Sequence, residues 1–230
     1  MNKRSMTVLC IVIFVPLICY FIIKYYSETN LVMPRHYIAD TIMQKIVDGK
    51  QESDTVWHTI PDFSLTNQLG QQVSLHDLEG KIVVADFFFT HCPSFCPTLT
   101  QNMRHLQEMF HTNDTIVQFL SFSVDPERDS VPVLKAYADR FGVQHNNWWM
   151  LTGSKDTIYD LAERDFKLAA MDSGHNNFVH TDRFVLLDKD RLVRGYYNGQ
   201  DTTDLTRLAS DIVLLLLERK KDERRDLFRK

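Results

Sequence analysis

Hydrophobic and polar positions divide the chain into stretches of different texture. Residues 7–23, TVLCIVIFVPLICYFII, are an uncharged apolar run of about the length that spans a membrane once its flanks are included. Residues 27–58 are mostly polar. Within them YIADTIMQKIVDGK repeats apolar positions at helical spacing before Gly49, which predicts a tether containing a short helix. From near Ile60 the pattern becomes that of a folded domain. PDFSLTNQLGQQVSL alternates around Asn67 and Gly70 as a hairpin does, and KIVVADFFF is a continuous apolar run of strand length, as a central buried strand would be.

The period then switches. Leu99, Met103, Leu106 and Phe110 recur every three or four residues, an amphipathic helix opening near two Cys-Pro pairs. TIVQFLSFSVD reads as the next strand, VPVLKAYADRF as a helix stopped by Gly142, and WWMLTG as a short strand. Ser154 is placed to cap a helix running to about Ala169, and the loop MDSGHNNFVHTD follows. RFVLLDKDRLVRGYY gives two strands around an Asp-Lys-Asp turn, and Asp201 or Thr202 caps a last helix containing IVLLLL. The tail ERKKDERRDLFRK is a mixed-charge, solvated helix end. Strands alternating with helices, then an antiparallel pair and a final helix, predict an α/β fold: a three-layer sandwich around a mixed sheet. The expected organisation is an anchor over 1–26, a tether over 27–56, a domain over 57–218 and a charged tail over 219–230.

Charge adds direction. Lys3 and Arg4 precede the apolar run and favour a cytoplasmic N-terminus, with everything after Lys24 on the far side of the membrane. A cleaved signal peptide is the rival reading, but the run ends in YFIIKYYSE without a small-x-small site, and neither Cys10 nor Cys19 follows a lipoprotein pattern. All 30 acidic residues and 23 of the 26 basic ones lie beyond position 26, so the exported part carries −7 and nucleic acid is not an expected partner. Cys10 and Cys19 sit in the apolar run. That leaves Cys92 and Cys96 for the exported domain, in a compartment where thiols oxidise.

These two occupy FFFTHCPSFCPTLT, between the apolar strand and the helix. A thiolate in the first turn of a helix meets unpaired backbone N–H groups and the positive end of the dipole, so it becomes both nucleophile and ligand. The pair can form a structural disulfide, exchange disulfides or hold a soft metal. A redox pair of the thioredoxin kind has two intervening residues and a proline-containing loop pressed against it. Here there are three, and the segment before RFVLLD offers His180 with no proline in FVHTD. Two thiolates and an imidazole suit Cu(I), and with an added oxygen Cu(II), whereas structural zinc wants a fourth protein ligand. A peroxidatic cysteine would call for Thr-x-x-Cys, but Thr90 is only two positions before Cys92.

FTHCPSFCP, the SVDPERD after the next strand, a histidine before the late hairpin and an N-terminal apolar run together resemble the Sco/SenC family, over about residues 56–218. The resemblance implies a thioredoxin-like fold with an N-terminal transmembrane helix, in a copper-binding protein of cytochrome oxidase assembly. It implies Cys92, Cys96 and His180 as copper ligands. The implied task is copper delivery to the binuclear site of oxidase subunit II, with a copper donor protein upstream. Alternatively, Cys92 and Cys96 act as a redox pair that reduces partner cysteines. The implied location is the bacterial inner membrane, single-pass with the domain in the periplasm, or else the mitochondrial inner membrane facing the intermembrane space. No Arg- and Ser-rich leader precedes the anchor, which favours the former.

Two positions depart from the family pattern. Val179 stands where many members have Asp beside the ligand histidine, and Asp86 stands where an aromatic is common. An acid on a buried strand beneath a cysteine pair either has a raised pKa and passes protons, or is satisfied by hydrogen bonds. His91 and His175 are substitute ligand candidates, although His91 is placed to point away from Cys92. In DPERD, Asp129 or Ser130 is expected to cap the next helix, with Arg128 available for an ion pair.

Overall fold

A computed structural model describes residues 12–21, 33–47, 50–168 and 181–227. The chain divides into two units, residues 1–33 and 34–230. In the first, residues 12–21 form a helix, α1. Among the described residues no helix is long and apolar enough to cross a membrane. The rest of the apolar run, and so most of the expected anchor, lies outside the described residues.

The second unit begins at Pro34. The stretch expected to hold a short helix forms strand β1 (Ala39–Val47), paired antiparallel with β2 (Lys50–Trp57) in a two-stranded sheet. Ile42 and Ile46 fit helical spacing, but Thr41, Ile42, Ile46 and Val47 are β-branched, and the partner that completes the ladder lies outside the window that periodicity reads.

Seven further strands form one mixed sheet. They are β3 (Ser64–Asn67), β4 (Gln72–Ser74), β5 (Ile82–Phe88), β6 (Val117–Ser123), β7 (Trp148–Thr152), β8 (Arg183–Leu187) and β9 (Val193–Asn198), in spatial order β4-β3-β7-β6-β5-β8-β9. β5, β6 and β7 run parallel, and the outer strands pair antiparallel. All seven residues of β5 are buried, as expected of a strand with neighbours on both edges and helices on both faces. The antiparallel register Ala85↔Val185 brings the start of β8 alongside the C-terminal end of β5.

Alternation divides the core in two. Ile82, Val84 and Phe88 face one layer, packing with Leu99, Met103 and Leu106 of α2 (Cys96–Met109), Leu134 and Ala138 of α3 (Val131–Phe141), and Leu208 and Ile212 of α5 (Thr202–Leu227). Val83, Ala85 and Phe87 face the other, against Ile60, Phe63, Ile158 of α4 (Lys155–Asp160) and Phe166. This is the expected three-layer α/β sandwich.

Gly142 ends α3 in the left-handed region at φ 68°, as expected of a stop glycine. The helix expected to reach Ala169 is α4 only to Asp160; a wider turn, Leu161–Asp165, follows, closed by Phe166 N–H to the Leu161 carbonyl at 2.8 Å. That turn sets the Phe166 ring against Phe87 and Phe122. Asp201 caps α5 by accepting the Thr203 N–H at 2.9 Å, and α5 continues through the charged tail to Leu227.

Candidate metal and redox site

β5 delivers the chain to the end of the sheet, and Phe89–Phe95 turns it back into α2. Cys96 is the first residue of α2 and Pro97 follows it, where an absent N–H leaves no helix hydrogen bond unmade. Cys92 sits in the preceding turn, its N–H donating to the Phe89 carbonyl at 3.3 Å. Both cysteines are free thiols and both are buried, Cys92 at 6% exposure and Cys96 at 0%.

The two sulfurs face one another and are electrostatically unequal. Burial disfavours the Cys92 thiolate, but hydrogen bonds from the Cys96 thiol and from Ser94 outweigh it, and its pKa lies below that of an ordinary cysteine. The Ser94 hydroxyl is 3.6 Å from the Cys92 sulfur. Cys96 moves the other way: burial pushes its thiol far up, and its hydrogen bond with Cys92 adds to the rise. The arrangement is one outer sulfur prepared for the thiolate form and one deeper sulfur held as a thiol.

A second set of groups braces Cys96 from behind. The Thr100 hydroxyl donates to the Cys96 carbonyl at 2.9 Å, and the Tyr137 hydroxyl of α3 lies 3.0 Å from Thr100 Oγ. Having spent its proton on the carbonyl, Thr100 accepts from Tyr137. Burial pushes the Tyr137 pKa far up, which keeps that hydroxyl a donor.

Asp86 lies on β5, 2% exposed, on the face that carries α2, with Ser121 as its neighbour across the register. Burial raises its pKa to about 7, and the Ser121 hydroxyl pulls weakly the other way. Its Oδ1 has no hydrogen-bond partner. Of the two readings open to this acid, the structure supports the raised pKa over the fully satisfied carboxylate.

His91, the neighbour of Cys92, is turned out: its side chain is 62% exposed, and its Nδ1 lies 2.9 Å from Thr90 Oγ1. Asp129 is not the cap of α3. It is fully buried and accepts hydrogen bonds from Thr90 and Ser123, while Ser130 takes the N-cap position without a side-chain bond. Nothing in the polar pattern of DPERD distinguishes Asp129 from its exposed neighbours, so its burial was not legible. Arg128 pairs with Asp125 at 3.7 Å, as its position suggested. His180, His175 and Val179 lie outside the described residues. Among the described residues no three His, Cys, Asp or Glu side chains gather as a metal site. The donors in place are two sulfurs.

Comparison with known proteins places the chain among relatives. The SCO1/SenC family model matches residues 51–216. The chain is 35% identical over 166 residues to the SCO1 protein homolog of Bacillus subtilis (strain 168), covering 71% of this chain and 86% of that protein. Among solved structures it resembles BsSco, a member of the Sco family of cytochrome c oxidase assembly proteins in which a disulfide switch has been identified. The TM-score is 0.59 at 32% identity, over 70% of this chain and 94% of that one. It also resembles the Arabidopsis thaliana ScoI with copper bound, TM-score 0.55 at 25% identity, over 69% and 98% of the two chains.

Proposed function

The chain belongs to the SCO1/SenC family, and from that premise we propose that it binds copper and delivers it during cytochrome c oxidase assembly, to the binuclear copper site of subunit II. Cys92, Cys96 and His180 are the ligands in this reading. The observation that carries it is the pair of free, facing, buried thiols at the mouth of α2. A thiolate pair is a soft donor set for Cu(I), and an imidazole adds the harder donor that Cu(II) needs. His180 is assigned on position: it precedes β8 by three residues, and β8 begins at the sheet end where β5 delivers the cysteine loop.

In this mechanism Cys92 engages first, since its thiolate is favoured, and Cys96 gives up its proton as it becomes the second donor. A copper donor protein loads the site. The apolar run near the N-terminus holds the domain at the periplasmic face of a bacterial inner membrane, or at a mitochondrial inner membrane facing the intermembrane space. Domain limits of 57–218 accommodate the whole site.

A second reading is a thiol–disulfide oxidoreductase that reduces partner cysteines. It is favoured by the inequality of the sulfurs, because a low-pKa attacking thiol and a protonated resolving thiol are what exchange requires. Metal analysis of the chain purified reduced and without air separates the two. About one copper per chain, lost in the Cys92→Ser/Cys96→Ser variant, is expected of the metal carrier. A metal-free parent that still reduces disulfides would leave the oxidoreductase.

A further inference from the structure

Asp129 is fully buried between the end of β6 and the start of α3, and three donors converge on it. The Thr90 backbone N–H donates to Oδ2 at 3.1 Å, the Thr90 hydroxyl to Oδ1 at 2.5 Å, and the Ser123 hydroxyl to Oδ2 at 2.5 Å. The group is itself held in place: Ser123 Oγ accepts the Asp125 N–H at 3.2 Å, and the Asp129 N–H donates to the Asp125 carbonyl at 2.9 Å. Thr90 stands two residues before Cys92, where β5 has ended. Because its one hydroxyl proton goes to Asp129, its oxygen accepts from His91 Nδ1, which fixes the imidazole tautomer and turns the ring outward.

We propose that Asp129 is a positioning residue for Cys92. Through Thr90 it pins the turn Phe89–Cys92 against β6 and α3, so that Cys92 meets Cys96 without the loop having first to be ordered. Hydrogen bonds to a carboxylate are about twice as strong as those between neutral groups. A pair held ready beforehand does not have to meet the entropy of ordering when it closes on a ligand or on itself. This connects the two distinctive segments of the sequence, THC and DPERD, in one physical device. It rests on the reading that Cys92 and Cys96 act as a pair, and it does not depend on copper.

The test uses the full chain and its variants Thr90→Val, Thr90→Ser, Asp129→Asn and the Thr90→Val/Asp129→Asn double, each equilibrated with reduced and oxidised glutathione. In that exchange the protein dithiol gives two electrons and two protons to one glutathione disulfide, which leaves as two glutathione thiols. Thiol labelling reads the Cys92–Cys96 disulfide fraction, and thermal unfolding is followed alongside. Thr90→Val and Asp129→Asn are expected to lower the equilibrium constant for the disulfide about tenfold, equivalent to about 30 mV. Thr90→Ser keeps the parent value, and the double variant falls no further than the larger single effect, since one clamp has been removed. A merely structural role would lower the melting temperature and leave the constant in place; an unchanged constant in a folded Thr90→Val chain, or an additive double variant, overturns the proposal. If Asp129→Asn does not fold, Thr90→Val decides, because it leaves the Ser123 bond intact. A parent that forms the disulfide yet binds no copper would remove the metal reading and leave the clamp standing.

Discussion

The Cys92 and Cys96 sulfurs share a hydrogen bond that lowers the pKa of the first and raises that of the second. The deeper thiol donates, so the outer sulfur carries the negative charge at lower pH than an ordinary cysteine would. Iodoacetamide at neutral pH should therefore label Cys92 well before Cys96, read by mass spectrometry of the digested chain. Cys96→Ala removes the donor and should move the pH profile of Cys92 labelling upward. Equal labelling of the two, or a profile indifferent to Cys96→Ala, would contradict the assignment.

The raised pKa of Asp86 predicts a stability that depends on pH. Its folded pKa of about 7 lies above the unfolded value, so between about pH 4 and 7 the native chain keeps a proton that the unfolded chain has released. The native state binds more protons there, and stability falls as pH rises through that window, by on the order of 4 kcal/mol if the whole shift is expressed. Urea unfolding at pH 5 and at pH 8.5 measures it. Asp86→Asn should flatten the difference and be the more stable chain at pH 8.5. An equal slope in both chains would place the titration elsewhere.

The core was legible where burial follows a simple period. The seven residues of β5 are all buried, and Leu99, Met103 and Leu106 of α2 meet the sheet as their spacing requires. Cys92 and Cys96 were legible as a pair because the strand before them and the helix after them fix where the turn must be. Local periodicity failed at residues 39–47, where pairing with β2 supplies the hydrogen bonds of a strand that the window reads as a helix. It failed again after Asp160, where the fit of Phe166 into the aromatic cluster widens the turn. Asp129 reads as a cap from sequence because Asp is a common cap, and only tertiary structure brings Thr90 and Ser123 to it. Asp86 could be singled out as an acid in an apolar run, but its unpartnered oxygen is a property of the packed core.

If His180 is the third ligand, as proposed, it is the residue that separates a metal site from a redox pair. His180→Ala should leave two sulfurs able to hold Cu(I), more loosely, and should lose the Cu(II)–thiolate absorption, because the harder ion needs the imidazole nitrogen. The Cys92–Cys96 disulfide should still form, and thermal unfolding should be little changed. Intact Cu(II)–thiolate absorption in a well-folded variant would remove His180 from the site and make His175→Ala and His91→Ala the next substitutions. His91 is turned outward by its Thr90 bond, which places its ring away from the cysteine pair.

The most direct measurement is a Cu(I) titration of the chain against a competing chelator, performed once with Cys92 and Cys96 reduced and once with them joined as a disulfide. Sulfurs bonded to one another are no longer thiolate donors, so copper and the disulfide exclude each other. The reduced chain should take up about one copper and the oxidised chain none, with oxidation of the loaded chain releasing its Cu(I). A reduced chain whose stoichiometry is indistinguishable from zero, or an oxidised chain that retains Cu(I), would contradict the account.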